Sequence, residues 1–264
     1  MTERRLRSEY VTEPVPVRDA ATVVLLRDGT DGLEAWLLTR VAQMAFAAGM
    51  TVFPGGRVDD SDSRLPVAVA DVERVAARFD CDAVLARALV GAAARETFEE
   101  TGVLLTAPRA HLPEHRADVE NGVLAFGALL SEHGLTVDGA ALRPWARWVT
   151  PEGENRRYDT RFFVGALPEG AEAQDVTTES SEAAWLPIAL ALEQGERGER
   201  SILPPTLVTL LGVQACGSVA DVLAAADERI IAPVRPSLKI DDDGSVSIEL
   251  DDGTRYPIPR SMLP

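Results

Sequence analysis

The fold of this chain is decided by two stretches of sequence, Gly49-Met50-Thr51-Val52-Phe53-Pro54-Gly55-Gly56 and Arg95-Glu96-Thr97-Phe98-Glu99-Glu100-Thr101-Gly102-Val103. The second stretch carries Glu96, Glu99 and Glu100 at positions i, i+3 and i+4, which an α-helix places on one face. The Gly-Gly pair of the first stretch predicts a turn where the backbone approaches a ligand closely. Together they predict a site where carboxylates and glycine backbone meet.

The glutamate spacing has two interpretations. Like charges one turn apart destabilise a helix by about 0.2–0.5 kcal/mol per pair, so a cation held by all three would relieve the repulsion. Mg²⁺ prefers such oxygen ligands and often bridges carboxylates to phosphates. The alternative is a solvated helix face on which Arg95 pairs with Glu99.

The two stretches resemble the Nudix hydrolase signature, G-x5-E-x7-R-E-U-x-E-E-x-G-U, in which U is aliphatic. Arg95, Glu96, Glu99, Glu100 and Gly102 match its second half. The chain departs from the pattern in three places: Asp62 stands for the first Glu, Thr97 for the first aliphatic residue, and 32 residues from Ser63 to Ala94 replace the seven-residue spacer. Loop-closure entropy grows slowly with length, so the two halves can still meet.

The chain also resembles one branch of that family, the coenzyme A and acyl-coenzyme A diphosphatases, which carry such an insertion. The resembling segments are Leu37-Leu38-Thr39-Arg40, Val52 to Asp59, Trp148 to Pro151, Arg156 to Phe163, Glu179 to Pro187 and Leu203 to Thr206. In the coenzyme A motif of the branch, Arg40 sits one place early and Ala45 replaces the second arginine.

The resemblance implies metal-dependent hydrolysis of a diphosphate linkage in a nucleoside diphosphate linked to another moiety, with coenzyme A or acyl-coenzyme A as the first candidate. It implies Mg²⁺ or Mn²⁺ as cofactor, and the expected ligands are Gly55 through its carbonyl, Glu96, Glu99 and Glu100. The expected catalytic carboxylates are Glu99, Glu100 and Glu179, with Glu182 as an alternative general base. The candidate substrate-binding residues are Arg40, Arg57, Arg157 and Arg161, and strand alternation places the last two on one face.

The arginine of the signature has a different expected role. The family arginine at this position is structural, so the resemblance implies that Arg95 orients Glu99 or pairs with Asp62 rather than contacting substrate. We therefore do not count Arg95 among the catalytic residues.

Other functions remain open. The signature indicates diphosphate and metal but not the attached groups, so ADP-ribose, NADH and dinucleoside polyphosphates are alternative substrates. A nucleotide sensor with this fold that does not hydrolyse its ligand is a second alternative. A third is an interaction module that uses the acidic C-terminal segment, residues 241–252, which holds six acids and no base. A homodimer through that segment is a related expectation.

Composition limits the partners and the compartment. A net charge of −16 argues against nucleic-acid binding, which depends on neutralising phosphates. No apolar run approaches the roughly 20 residues of a membrane span, and Met1 to Arg5 lead into no signal core, so we expect a cytoplasmic protein without membrane partners. The two cysteines, Cys81 and Cys216, are too few for a disulfide framework.

The predicted fold is α/β (α+β), a Nudix-type α/β/α sandwich with a mixed sheet, a helical insertion and a C-terminal β-meander. We expect an N-terminal extension (1–19), a Nudix domain (20–230, insertion about 63–86) and a meander appendage (231–264). The predicted elements are a hairpin around Asp28–Gly32, helices over Val67–Phe79, Ala83–Thr101, Val119–Ser131, Pro187–Glu193, Pro205–Ala215 and Ser218–Asp227, and strands over Arg143–Val149 and Tyr158–Leu167. Asp82 is the expected N-cap of the helix that carries the signature glutamates, and Gly102 is the residue expected to end it. Pro144 is expected to interrupt the strand predicted over Arg143–Val149.

Overall fold

The computed structural model describes residues 15–41, 49–152, 154, 156–175, 180–241, 245–250 and 252–258. Its strands are β1 (Val17–Gly29), β2 (Gly32–Arg40), β3 (Thr51–Val52), β4 (Gly55–Arg57), β5 (Thr106–Ala107), β6 (Thr136–Val137), β7 (Arg143–Val149), β8 (Arg157–Ala166), β9 (Ser180–Pro187), β10 (Pro233–Val234), β11 (Ser237–Ile240), β12 (Val246–Glu249) and β13 (Arg255–Ile258). Its α-helices are α1 (Val69–Phe79), α2 (Ala83–Thr101), α3 (Arg116–Glu120), α4 (Phe126–Glu132), α5 (Ile188–Glu196), α6 (Pro204–Gln214) and α7 (Val219–Glu228).

An eight-stranded mixed sheet organises the chain. Its main path runs β10-β7-β8-β1-β2-β3, while β4 pairs with β1 and β9 pairs with β2. The long strand β1 is the centre, because it runs parallel to β8 on one side and pairs on the other with β4 and then β2. The predicted hairpin is confirmed, with Gly29 opposite Gly32.

Helices cover both faces of the sheet. Residues of β1 alternate between the two sides, so Val23 and Leu25 face one core and Val24 and Leu26 face the other. The first core is closed by α1, α2 and α4, and the second by α5, α6 and α7. This arrangement confirms the predicted α/β/α sandwich.

The limits of α2 follow from local sequence. The Asp82 side chain accepts a hydrogen bond from the Leu85 N–H at 2.8 Å, which makes it the predicted N-cap. At the other end Gly102 has a φ of +75°, and its N–H donates to the Phe98 carbonyl at 2.8 Å. The signature glutamates therefore lie in the last two turns of a helix that ends where the sequence predicts.

Two sequence expectations concern less regular elements. The helix predicted over Val119–Ser131 is instead two short helices, α3 and α4, separated by Gly122, whose φ is +70°. Both helices bury apolar residues in the same core, namely Val119, Phe126, Leu129 and Leu130, and this pattern resembled one continuous helix. The interruption expected at Pro144 is confirmed by a register shift between Pro144 and Ala146.

The C-terminal segment is a three-stranded antiparallel meander of β11, β12 and β13, as predicted. It is not isolated from the rest, because Ile248 of β12 is buried in the core that α5, α6 and α7 close. β10 falls within the predicted appendage but pairs with β7 of the main sheet. The domain limits themselves stay a prediction.

In the described part of the chain, no individual helix combines the length and apolarity needed to cross a membrane. The bent pair formed by α6 and α7 meets the length and composition criteria when the two are taken together. Leu210, Val213 and Val222 of this pair are fully buried in the protein core.

Substitution of two helical glycines, one packed against the insertion and one not, tests how tightly the insertion packs. A Cβ at Gly91 of α2 would lie 2.6 Å from the backbone oxygen of Asp62, whereas one at Gly212 of α6 would make only ordinary van der Waals contacts, with Trp145 at 3.5 Å and Arg229 at 3.8 Å. We expect Gly91→Ala to lower the free energy of unfolding by about 1–3 kcal/mol through overpacking. The control Gly212→Ala should raise it by about 0.5–1 kcal/mol. Urea denaturation measures both, and equal effects would contradict the packing described here.

Candidate functional site

The last turns of α2 lie against β4, so that the two halves of the signature meet. The Gly55 N–H donates a hydrogen bond to Oε2 of Glu100 at 2.8 Å. Glu96, one turn earlier, lies against the backbone of Gly56. The predicted encounter of carboxylates with the Gly-Gly turn is therefore present, and the insertion loops out between them.

Both glycines are required by close contacts. A Cβ at Gly55 would lie 2.5 Å from the Ala21 carbonyl oxygen of the neighbouring strand β1. A Cβ at Gly56 would lie 2.4 Å from Oε1 of Glu96. Any side chain at these positions would push β4 away from β1 or displace the Glu96 carboxylate.

Arg95 connects several parts of the site. Its Nε and Nη2 donate to the Asp62 carboxylate at 2.9 and 3.0 Å. Its Nη1 donates to Glu96 at 2.8 Å and to Glu99 at 3.1 Å, and its Nη2 also reaches the Arg57 carbonyl at 3.0 Å. One guanidinium thus fixes two signature glutamates, the end of β4 and the start of the insertion.

Asp62 is the buried carboxylate that holds the Arg95 guanidinium. It is 1% exposed and accepts a hydrogen bond from the Asp59 N–H at 2.8 Å in addition to the two from Arg95. The shorter side chain that replaces the expected glutamate is accommodated because residues 62–64 form a turn of 3-10 helix close to α2. Asp62 therefore orients Arg95, and the expected pairing of these two residues is present.

Two further residues fix the end of α2. Thr97, the polar departure from the signature, is buried and donates its hydroxyl to the Ala93 carbonyl at 2.7 Å. Arg116, on α3, donates to the Glu99 carbonyl at 2.8 Å and to Glu120 at 2.7 Å. Sequence reasoning missed Arg116, because a backbone partner 17 residues away leaves no pattern in the sequence.

The electrostatics of the cluster favour a bound cation. Burial raises the pKa of Glu99 to about 7; Arg95 opposes this shift and the Glu96 charge adds to it. Burial lowers the pKa of Arg95, but the hydrogen bond to Asp62 and the charges of Glu96, Asp62 and Glu99 outweigh it and keep the pKa above its ordinary value. The single guanidinium does not fully offset the buried negative charge.

The donor set fits a hard divalent cation. Among the described residues, no three side chains of His, Cys, Asp or Glu converge on one point as they would around a metal ion. Glu96 and Glu99 instead share the Nη1 atom of Arg95, and Glu100 accepts from Gly55. Three carboxylates from one helix face beside glycine backbone are nevertheless the oxygen ligands that Mg²⁺ and Mn²⁺ prefer.

The candidate substrate-binding arginines are dispersed. Arg40 ends β2 and pairs through its backbone with Gly49 and Met50. Arg57 ends β4 with an exposed side chain that forms an ion pair with Asp59 at 2.7 Å. Arg157 starts β8, and its Nε donates to the Thr150 carbonyl at 3.3 Å.

Arg161 does not have the exposure that we expected of a substrate contact. It is 2% exposed and forms ion pairs with Asp19 and Asp159, which hold it inside the protein. Arg157, four residues earlier on the same strand, is half-buried instead. Strand alternation places Arg157 and Arg161 on the same face of β8, but only Arg157 is partly accessible to solvent.

Of the two later carboxylates, Glu182 is described and Glu179 is not. Ala45 of the coenzyme A motif also lies outside the described residues. Glu182 is on β9 opposite Thr39, its side chain is 62% exposed, and it lies 4.0 Å from Arg200. Arg200 also donates to Thr39 and Thr51 at 3.3 Å, so it links β9, β2 and β3.

Comparison with known proteins agrees with this geometry. The family model described as the NUDT19 Nudix domain matches residues 84–212. Two curated relatives are a putative nudix hydrolase 7 of Caenorhabditis elegans, 27% identical over 73% of this chain, and an acyl-coenzyme A diphosphatase NUDT19 of Xenopus laevis, 26% identical over 70%. The matches span 59% and 60% of the lengths of those two relatives.

A solved structure agrees with this chain in both sequence and fold. The crystal structure of a NUDIX hydrolase from Alicyclobacillus acidocaldarius is 30% identical in sequence and superposes with a TM-score of 0.67. The match covers 80% of this chain and 96% of that protein. With the signature residues assembled at the end of α2 and this similarity over nearly the whole length of a known member, the chain belongs to the Nudix hydrolase family.

Proposed function

We propose that this chain hydrolyses a diphosphate linkage in a nucleoside diphosphate linked to another moiety, with a divalent cation as cofactor. The observation that carries the proposal is the placement of Glu100 against Gly55 and of Glu96 against Gly56, with Glu96 and Glu99 both held by the guanidinium of Arg95. Water attacks one phosphorus, the bond to the leaving phosphate oxygen breaks, and a carboxylate accepts the proton.

Mg²⁺ or Mn²⁺ would be held by the Gly55 carbonyl and the carboxylates of Glu96, Glu99 and Glu100. When bound, such an ion neutralises the diphosphate and acidifies the attacking water. In a chain with a net charge of −16, local positive charge is what allows an anionic substrate to approach. The ligating carboxylates therefore serve substrate binding as well as catalysis.

The protein itself contributes orientation. Arg95 holds the Glu96 and Glu99 side chains, and Arg116 holds the backbone of Glu99, so these carboxylates are positioned before the substrate arrives. The absence of side chains at Gly55 and Gly56 lets β4 pack against β1 and lets the Glu96 carboxylate lie against the turn. Glu99, Glu100 and Glu179 are the candidates for the carboxylate that accepts the proton.

Coenzyme A and acyl-coenzyme A are the first substrate candidates. Support comes from the Xenopus laevis relative, which is named for acyl-coenzyme A diphosphatase activity, and from Arg40 at the end of β2 within the coenzyme A motif. A cytoplasmic location, the absence of nucleic-acid and membrane partners, and a homodimer through the acidic meander stay predictions.

The proposal is tested by incubating the protein with Mg²⁺ or Mn²⁺ and a panel of coenzyme A, acyl-coenzyme A, ADP-ribose, NADH and dinucleoside polyphosphates. We expect coenzyme A to yield 3′,5′-ADP and phosphopantetheine, identified by mass spectrometry, and a chelator to stop the reaction. Turnover of another compound alone would retain the chemistry and reject the substrate. No turnover of any compound would favour a nucleotide sensor.

Substitution of one glutamate tests the site directly. Glu99→Gln keeps the size of the side chain but removes a metal-binding charge, so kcat should fall by about 100-fold or more while the thermal unfolding curve stays cooperative. Glu132→Gln, on the exposed end of α4, makes the same charge change elsewhere and should leave kcat unchanged. A Glu99→Gln enzyme with normal kcat would reject the assignment.

A further inference from the structure

A cationic cleft lies at the end of the sheet where β1 and β8 begin. It has a volume of about 380 Å³ and is lined by Val15, Pro16, Arg18, Arg156, Arg157 and Tyr158. The two strands run parallel there, with Val17 opposite Arg157 and Arg18 opposite Tyr158. The register therefore brings three arginines from two distant segments of the chain to one cavity.

The arginines of this cleft have few partners of their own. Arg18 and Arg156 are exposed, and neither makes a hydrogen bond or an ion pair with any residue that the structure describes. Arg157 uses only its Nε, toward the Thr150 carbonyl, so its terminal nitrogens are not engaged by described residues. Glu152 and Glu154, the described glutamates nearest in sequence to Arg156 and Arg157, form no ion pair with them.

Such an arrangement is unusual for this chain. Its net charge is −16, and deeper arginines such as Arg95, Arg147 and Arg161 are held by carboxylates. Three guanidinium groups around one cavity repel one another, and a bound anion would remove that repulsion. Guanidinium groups also match the oxygens of a phosphate with paired, charge-assisted hydrogen bonds.

We propose that this arginine cleft binds a phosphomonoester group. Its volume is near the lower end of the roughly 300–1,000 Å³ typical of small-ligand sites, enough for a phosphate and part of the molecule that carries it. Arg18 and Arg156 supply positive charge that no described residue pairs, and Arg157 supplies a guanidinium already fixed in direction by Thr150. The half-buried Tyr158 contributes to the wall beside them.

The cleft is separate from the proposed diphosphate site. Ala21 of β1 is opposite Gly56, whereas Val17 is opposite Arg157, so the two sites are offset by four residues along β1. At about 3.3 Å per residue this offset is about 13 Å. The phosphate bound in the cleft is therefore not part of the diphosphate that is cleaved; it is a second phosphate on the substrate or a free phosphate-bearing ligand.

Calorimetric titration with inorganic phosphate tests the proposal. The protein is kept free of divalent metal, because the glutamate cluster then repels anions and contributes no phosphate binding. We expect saturable binding by the wild type, weakened about tenfold in Arg18→Gln and in Arg156→Gln, as lost charge-assisted hydrogen bonds require. The control Arg235→Gln removes an equally exposed arginine outside the cleft and should bind phosphate as the wild type does.

Absence of saturable phosphate binding by the wild type would overturn the proposal. Equal weakening in Arg235→Gln would also overturn it, because the effect would then be one of net charge. Normal binding by both cleft variants would do the same. The titration requires no turnover, so its result is independent of the proposed hydrolysis.

A second measurement identifies the source of the phosphate, and this step rests on the proposed function. The ratio of kcat/KM for coenzyme A to that for dephospho-coenzyme A is compared between the wild type and Arg18→Gln. If the cleft binds the phosphomonoester of the substrate, we expect this ratio to fall about tenfold in the variant. An unchanged ratio, with phosphate binding lost in the titration, supports the cleft as a site for a free phosphate-bearing ligand.

Discussion

The guanidinium of Arg95 is the interaction on which the candidate site depends. It lies between Asp62, at the start of the insertion, and the signature glutamates Glu96 and Glu99, which are on α2 like Arg95 itself. Its bond to the Arg57 carbonyl adds the end of β4. A charged side chain that is buried without its partner lowers the stability of the fold, so Asp62 and Arg95 require each other. Their ion pair joins the two ends of the long insertion.

Features with local sequence signals were predictable. Asp82 and Gly102 set the limits of α2 through a side-chain cap and a left-handed residue, both readable from residue type. The β1–β2 hairpin and the meander followed from alternation and turn residues. Glu100 and Gly55 are 45 residues apart in sequence, so no local pattern predicts their contact. It was predicted only from the resemblance to the Nudix signature.

Features that depend on distant partners were not predictable. Arg161 was expected to contact substrate, but Asp19, 142 residues away in sequence, holds it inside the protein. The break at Gly122 was missed because α3 and α4 bury residues in the same core, so apolar periodicity continues across it. Arg18 attracted no attention in the sequence; only the parallel register of β1 with β8 places it beside Arg156 and Arg157.

The proposed hydrolysis requires that the end of α2 and the Gly55–Gly56 turn form a divalent-cation site. Anomalous diffraction from a crystal soaked in Mn²⁺ tests this most directly, since the ion reports its own position. We expect a peak bounded by the carboxylates of Glu96, Glu99 and Glu100 and the carbonyl of Gly55. An ordered crystal with Mn²⁺ bound only elsewhere, or with these glutamates still held by Arg95 and no peak beside them, would contradict it.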